Sequence, residues 1–182
     1  MKDITNEEKG CAKINLALHV TGIQSDGYHA LDSIVVFTDV FDRLFFKRSL
    51  KNVVALTGEF SKSINVRENS ILQALKLFEN GLTDRFTINL EKNLPIGAGL
   101  GGGSADAAAV IRFITNNSKH LMPSYEVLSK IGADIPACVL SVASRVGGIG
   151  EIVRPLDISE INLWVVLAVS YTHLTLPTNG LV

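Results

Sequence analysis

"LPIGAGLGGGSADAAAV", residues 94–110, sets five glycines and a serine directly before an alanine-rich run. A helix start offers N–H groups without intrahelical partners and carries a partial positive charge. Glycines ahead of it let the backbone approach an oxyanion with no Cβ in between. The stretch therefore predicts a phosphate cradle leading into a helix over 104–117, with Ser104 near its start. The serine hydroxyl suits a phosphate oxygen or Mg²⁺. A Walker A loop would end in Gly-Lys-Ser/Thr, but Gly103 precedes Ser104, so that motif fails. Gly97, Gly99 and Gly102 satisfy G-x-G-x-x-G. A dinucleotide-binding loop should follow its strand directly, whereas here the polar "EKN" and Pro95 intervene and the loop continues to Gly103. The bland alternative is a flexible connection. Five glycines in seven residues, ending at a good capping residue, weigh against it.

Outward from the loop, "RFTINLE" (85–91) alternates through Phe86, Ile88 and Leu90 and reads as a strand. "NSILQALKLFEN" (69–80) places Ile71, Leu72, Leu75 and Phe78 on one helical face, with Ser70 to cap it. "SYEVLSKIG" (124–132) predicts a shorter helix, capped by Ser124 and stopped at Gly132. "CAKINLALHV" (11–20) alternates too: Ile14, Leu16, Leu18 and Val20 point one way, Lys13, Asn15, Ala17 and His19 the other. That is the pattern of a half-buried strand, one of whose faces carries an ammonium beside an amide. "SDGYHAL" (25–31) predicts a turn, followed by short strands over 32–40, 43–48 and 52–56. "ADIPACVLS" reads as a loop, "ASRVGGIGEIV" as strands and "INLWVVLAV" (161–169) as a last strand. Strands first, then helices mixed with strands, predict an α+β fold.

The chain has 182 residues, 47% apolar and 19% charged, a composition that supports one domain with a core. A net charge of −1 spread along the chain argues against broad binding to nucleic acid or anionic membrane. Cys11 and Cys138 are far apart, and His19, His29, His120 and His173 do not cluster, so a structural zinc site is not expected. The polar N-terminus lacks a signal-peptide pattern, and "LWVVLAV" is too short to span a bilayer, so the expected compartment is the reducing cytoplasm. Oligomeric state is not legible.

Three stretches together carry a family resemblance. "PIGAGLGGGSADAA" resembles the phosphate loop of the GHMP kinases, the galactose, homoserine, mevalonate and phosphomevalonate kinases. "AKINLALHVTGIQSDGYHALDSI" (12–34) and "GADIPACV" (132–139) are similar to segments of one family among them, the 4-diphosphocytidyl-2-C-methyl-D-erythritol kinases. The resemblance covers about residues 10–169. It implies the GHMP kinase N-terminal domain, an α+β fold like ribosomal protein S5 domain 2. It also implies an ATP- and Mg²⁺-dependent kinase that phosphorylates the 2-hydroxyl of the cytidylyl-methylerythritol substrate, a step of non-mevalonate isoprenoid precursor synthesis.

Residue by residue, the resemblance makes Lys13 and Asp134 catalytic. It assigns the ATP phosphates to Pro95, Ile96, Gly97, Ala98, Gly99, Leu100, Gly101, Gly102, Gly103, Ser104 and Ala105, with Ser104 also on Mg²⁺. Asn15, Tyr28 and His29 fall to the substrate, the last two at its cytidine. Lys92 and Asn69 sit where the family places nucleotide-contacting residues. Plainer readings stand beside these: an exposed strand lysine at 13, a turn aspartate at 134, core-covering packing for Tyr28, and surface positions for Lys92 and Asn69. Residues 1–169 are expected to form the N-terminal domain. The last stretch, "SYTHLTLPTNGLV" (170–182), matches nothing in the family and reads as artefactual. Without the family's C-terminal domain the site should be open, and the chain alone weakly active or inactive. Another small-molecule GHMP kinase is the nearest alternative. A non-catalytic nucleotide-binding module is the other, favoured if Lys13 and Asp134 lie far apart.

Overall fold

Alternating sequence drives the first half of the chain into β structure. The computed structural model describes residues 7–23, 25, 27–63, 70–79, 84–158 and 163–167. Strand β1 (Glu7–Ile23) pairs antiparallel with β2 (His29–Ser49), which absorbs both of the short runs expected over 32–40 and 43–48. The Phe41-Asp42 dipeptide between those runs does not break the strand, because it stays paired with Cys11 and Gly10 of β1. At Leu44, β2 is flanked by Glu8 of β1 and Leu90 of β4 (Arg85–Glu91). At Ser33 it is flanked by Leu18 of β1 and Val146 of β5 (Ser144–Gly148). β3 (Val53–Thr57) runs parallel to β4, and β6 (Ile152–Pro155) lies antiparallel to β5. The sheet is mixed, and with its helices the fold is α+β, as the element order predicts.

Four α-helices and one 3-10 turn (Ser61–Ser63) complete the described structure. α1 (Ser70–Lys76) and α2 (Gly102–Asn117) cover the sheet face that presents Leu44, Phe46, Ile88 and Leu90, all buried. The alanines 105 and 107–109 let α2 approach that face closely, and Phe113 stacks on Phe46 with ring centroids 3.8 Å apart. α3 (Tyr125–Ser129) is followed by α4 (Ile135–Leu140). α4 corrects the loop expected for "ADIPACVLS": Pro136 occupies the first turn, where its missing N–H costs nothing, and Ile135, Ala137 and Cys138 are buried. The strand expected over 161–169 also fails where it can be seen. Residues 163–167 form no strand and their side chains are exposed, Trp164 fully, with no partner strand among the described residues. Residues 170–182, and with them His173, lie outside the described residues.

β1 shows a second departure. The alternation of its sequence is not matched by burial: Leu16, Leu18 and Val20 are exposed. Ala12 and Lys13, consecutive in sequence, are both buried. Register shifts between Cys11 and Lys13 and between Asn15 and Ala17 explain this, since each irregularity re-aims the strand's side chains. No helix among the described residues is long and apolar enough to cross a membrane.

Candidate active site

The glycine loop is held from below by its own apolar residues. Leu94 and Leu100 are buried against Ala12, with Ile14 and Ala98 packed around them. The backbone N–H of Lys13 donates to the Leu100 carbonyl at 2.9 Å, so the loop is stitched to β1 at the very residue expected to be catalytic. Gly101 then caps α2 in the left-handed region at φ 63°, and its carbonyl accepts from the Ala105 N–H at 2.8 Å. This moves the helix start to Gly102 and the cap from Ser104 to Gly101; a glycine takes that backbone angle without the strain a Cβ imposes. Gly97 and Gly99 also have positive φ, and a Cβ at either would meet nothing within 4 Å. Space therefore stands open above the loop.

At its end the loop meets two side chains. Lys13, only 4% exposed, sets its ammonium 3.1 Å from an Asp134 carboxylate oxygen. It also donates to the Asn15 Oδ1, whose own amide donates to Ser33 Oγ at 2.9 Å; Ser33 in turn donates to the Ala17 carbonyl at 2.7 Å. That chain fixes the orientation of the Asn15 amide and gives the lysine a defined position. Asp134 occupies the cap position of α4, yet its carboxylate makes no capping bond to the helix. An aspartate there normally bonds the helix's free N–H groups. Here it turns to Lys13 and keeps 39% of its side chain in solvent. A Cβ on Gly101 would stand 3.2 Å from Lys13 Cε and 3.3 Å from Asp134 Oδ2, so the bare backbone leaves the gap between them clear. Ser104 faces the same segment: a Cβ on Gly132 would lie 3.3 Å from its Oγ.

The other expected residues distribute differently. Tyr28 is exposed and His29 half-buried at the tip of the β1–β2 hairpin. Lys13 pairs with Phe37 whereas Ile23 pairs with His29, so the tip stands eight residues along β2 from the lysine. Asn69 lies outside the described residues. Lys92 is not a surface residue. It is 4% exposed and points beneath the loop, where its ammonium bonds Asp42 and lies 3.0 Å from Asp106 Oδ2. Burial opposes its charge, but Asp106 and Asp42 together hold it above the ordinary lysine value. Asp42 and Asp106 had no signal in the sequence, since they lie 50 and 14 residues from Lys92.

The donor set suits a nucleotide phosphate with a divalent ion. No cluster of three or more His, Cys, Asp or Glu side chains placed for a metal exists among the described residues. Mg²⁺ in phosphoryl-transfer sites takes one or two protein ligands and the rest from phosphates and water, so the Ser104 hydroxyl at the start of α2 fits that mode.

Residues 69–149 match the GHMP kinases N terminal domain, and the chain has that domain's fold. The relatives are specific. The 4-diphosphocytidyl-2-C-methyl-D-erythritol kinase of Cereibacter sphaeroides (strain ATCC 17025 / ATH 2.4.3) is 41% identical over 157 residues, 86% of this chain and 56% of the relative. The enzyme of the same name from Rhizobium johnstonii is 43% identical over 82% of this chain and 52% of its own length. A crystal structure of 4-(cytidine 5'-diphospho)-2C-methyl-D-erythritol kinase superposes with a TM-score of 0.67 at 32% identity, covering 82% of this chain and 55% of that one. The chain thus spans about half the length of the curated relatives it matches and resembles their N-terminal part.

Proposed function

We propose that the chain is the N-terminal, ATP-binding part of a kinase that phosphorylates the 2-hydroxyl of 4-diphosphocytidyl-2-C-methyl-D-erythritol. The observation that carries this reading is the Lys13–Asp134 contact of 3.1 Å at the lip of the glycine loop. A module that only bound nucleotide would have no use for a buried ammonium held against a half-exposed carboxylate. ATP with Mg²⁺ supplies the phosphoryl group and the charge that neutralises it. The loop N–H groups from Gly97 to Ser104 and the start of α2 receive the phosphates. Asp134 accepts the proton of the acceptor hydroxyl as its oxygen bonds phosphorus and the bond to ADP breaks. Lys13 offsets negative charge on the transferring group. Asn15, fixed through Ser33, faces the acceptor. The exposed ring of Tyr28 and the His29 imidazole are suited to the cytosine end of an extended substrate, in keeping with their distance along β2.

The test is ADP release with ATP, Mg²⁺ and the cytidylyl-methylerythritol acceptor. It is run on this chain and on this chain joined to the C-terminal part of the Cereibacter sphaeroides relative. Acceptor-dependent turnover is expected in the joined protein, and Asp134→Asn should reduce it by about 10²–10⁴-fold. Turnover that survives Asp134→Asn, or that requires mevalonate or homoserine instead, overturns the reading.

A further inference from the structure

We propose that Lys92, Asp42 and Asp106 form a sealed clamp that positions both ends of the glycine loop before any ligand arrives. The three residues are at most 4% exposed and lie directly under the loop. Asp42 Oδ1 accepts the backbone N–H groups of Asn93 at 2.6 Å and Leu94 at 2.8 Å, which are the loop's entrance. The Phe41 carbonyl takes the Asn93 side chain at 3.3 Å. Asp42 Oδ2 bonds the Lys92 ammonium, and the same ammonium reaches Asp106 Oδ2 in the second turn of α2, beyond the loop's exit. A Cβ on Gly102 would stand 3.2 Å from Lys92 Nζ and 3.7 Å from Asp42 Oδ2, so the first residue of the helix rests on the ammonium itself. Entrance and exit are therefore referenced to one charged group.

Burial of one cation and two carboxylates is a poor way to gain stability, because an apolar filling of similar volume does as well or better. It is a good way to fix position, since each bond has a direction and each partner has few alternatives. The loop between the clamped ends needs this. Glycines have the most backbone freedom to lose, and an unfixed loop would leave the ordering cost to ligand binding. The second oxygen of Asp106 has no hydrogen-bond partner among the described residues, and a Cβ on Gly10 would stand 2.8 Å from it. The carboxylate is thus held by packing against β1 and by Lys92, not by a bond network of its own. Lys92, Asp42 and Asp106 are positioning residues in this reading; none of them faces the open space above the loop.

Amide hydrogen exchange on the unliganded chain tests the clamp directly. The Asn93 and Leu94 amides should be protected to the level of the β4 ladder; exchange at the rate of an unprotected chain overturns the proposal. The double variant Lys92→Met/Asp106→Leu removes the cation together with one carboxylate, leaving Asp42 with its two N–H partners. It should melt cooperatively, exchange at 93–94 and 101–104 at least tenfold faster than the parent, and keep the parent rate at the centre of α2. Parent rates throughout the loop overturn the proposal. If this variant fails to fold, protection of 93–94 in the parent decides. A second readout rests on the nucleotide reading above: ATP affinity should fall about tenfold in the double variant while adenosine affinity holds. A loss shared equally by both ligands marks a merely structural role and overturns the positioning claim. If the parent chain does not bind ATP at all, the nucleotide reading fails and the exchange data still judge the clamp.

Discussion

Two buried lysines sit on opposite sides of one glycine loop, and they are used differently. Lys13 lies at the lip, and its carboxylate partner Asp134 keeps 39% of its side chain in solvent. Lys92 lies beneath, and its partners Asp42 and Asp106 are sealed. Each ammonium is neutralised by aspartate, so charge alone does not separate them. Access does. A carboxylate that faces open space can exchange a proton with a bound molecule. One enclosed by backbone and core can only hold geometry. Glycine marks both places: Gly101 leaves the lip clear, and Gly102 lets α2 settle on Lys92.

The comparison breaks most sharply under Lys92→Met. It leaves two carboxylates buried without their cation, and chemical denaturation should show a loss of about 3–5 kcal/mol. Asp134→Asn removes a carboxylate that is 39% exposed and leaves Lys13 its Asn15 partner, so it should cost less stability than Lys92→Met while lowering turnover by about 10²–10⁴-fold. Similar stability losses in the two variants would erase the distinction between lip and underside.

Gly101→Ala comes next. Left-handed backbone costs a non-glycine residue about 1–2 kcal/mol, and the new methyl would intrude between Lys13 and Asp134. Gly103→Ala is the control: its Cβ would meet only Ser70 Oγ, at 3.4 Å. Phosphoryl transfer should fall much further in the first variant than in the second, measured by ADP release in the joined protein.

A pH effect sharpens the contrast further. Burial raises the Asp106 carboxyl from 3.8 to about 7, against the opposing pull of Lys92 and with a smaller push from Asp42. Between about pH 4 and pH 7 the folded chain therefore holds a proton that the unfolded chain has released. Stability from this group declines as pH rises through that interval and levels off above it. Asp106→Asn has no such proton, so the melting temperature of the variant relative to the parent should rise from pH 4 to pH 7 and then stay flat. A constant difference would show that Asp106 is ionised throughout. Smallest of all is a chemical difference between the cysteines. Cys11 is partly accessible, whereas Cys138 is 2% exposed and burial pushes its thiol well above the usual range. A thiol reagent should label one cysteine in the folded chain and two after denaturation.

The sequence by itself determined the elements whose signals are local. Alternation in 85–91 and the helical spacing of 69–80 need only neighbouring residues to be read; the strand forms as read, and the helix forms over Ser70–Lys76. The glycine-rich approach to α2 is likewise a property of consecutive residues, and so is the resemblance that singled out Lys13 and Asp134. Tertiary structure decided what those residues meet. "ADIPACVLS" became a helix once Ile135 and Cys138 found a core, and β2 remained one strand because its neighbours paired along it. The bulges of β1 turned Lys13 inward and left Leu16 and Leu18 in solvent, against the face its alternation favours. The clamp was out of reach for the same reason. Asp42, Lys92 and Asp106 come from β2, the end of β4 and α2, and only packing makes one site of them, because burial and hydrogen-bond partnership are properties of the space between elements.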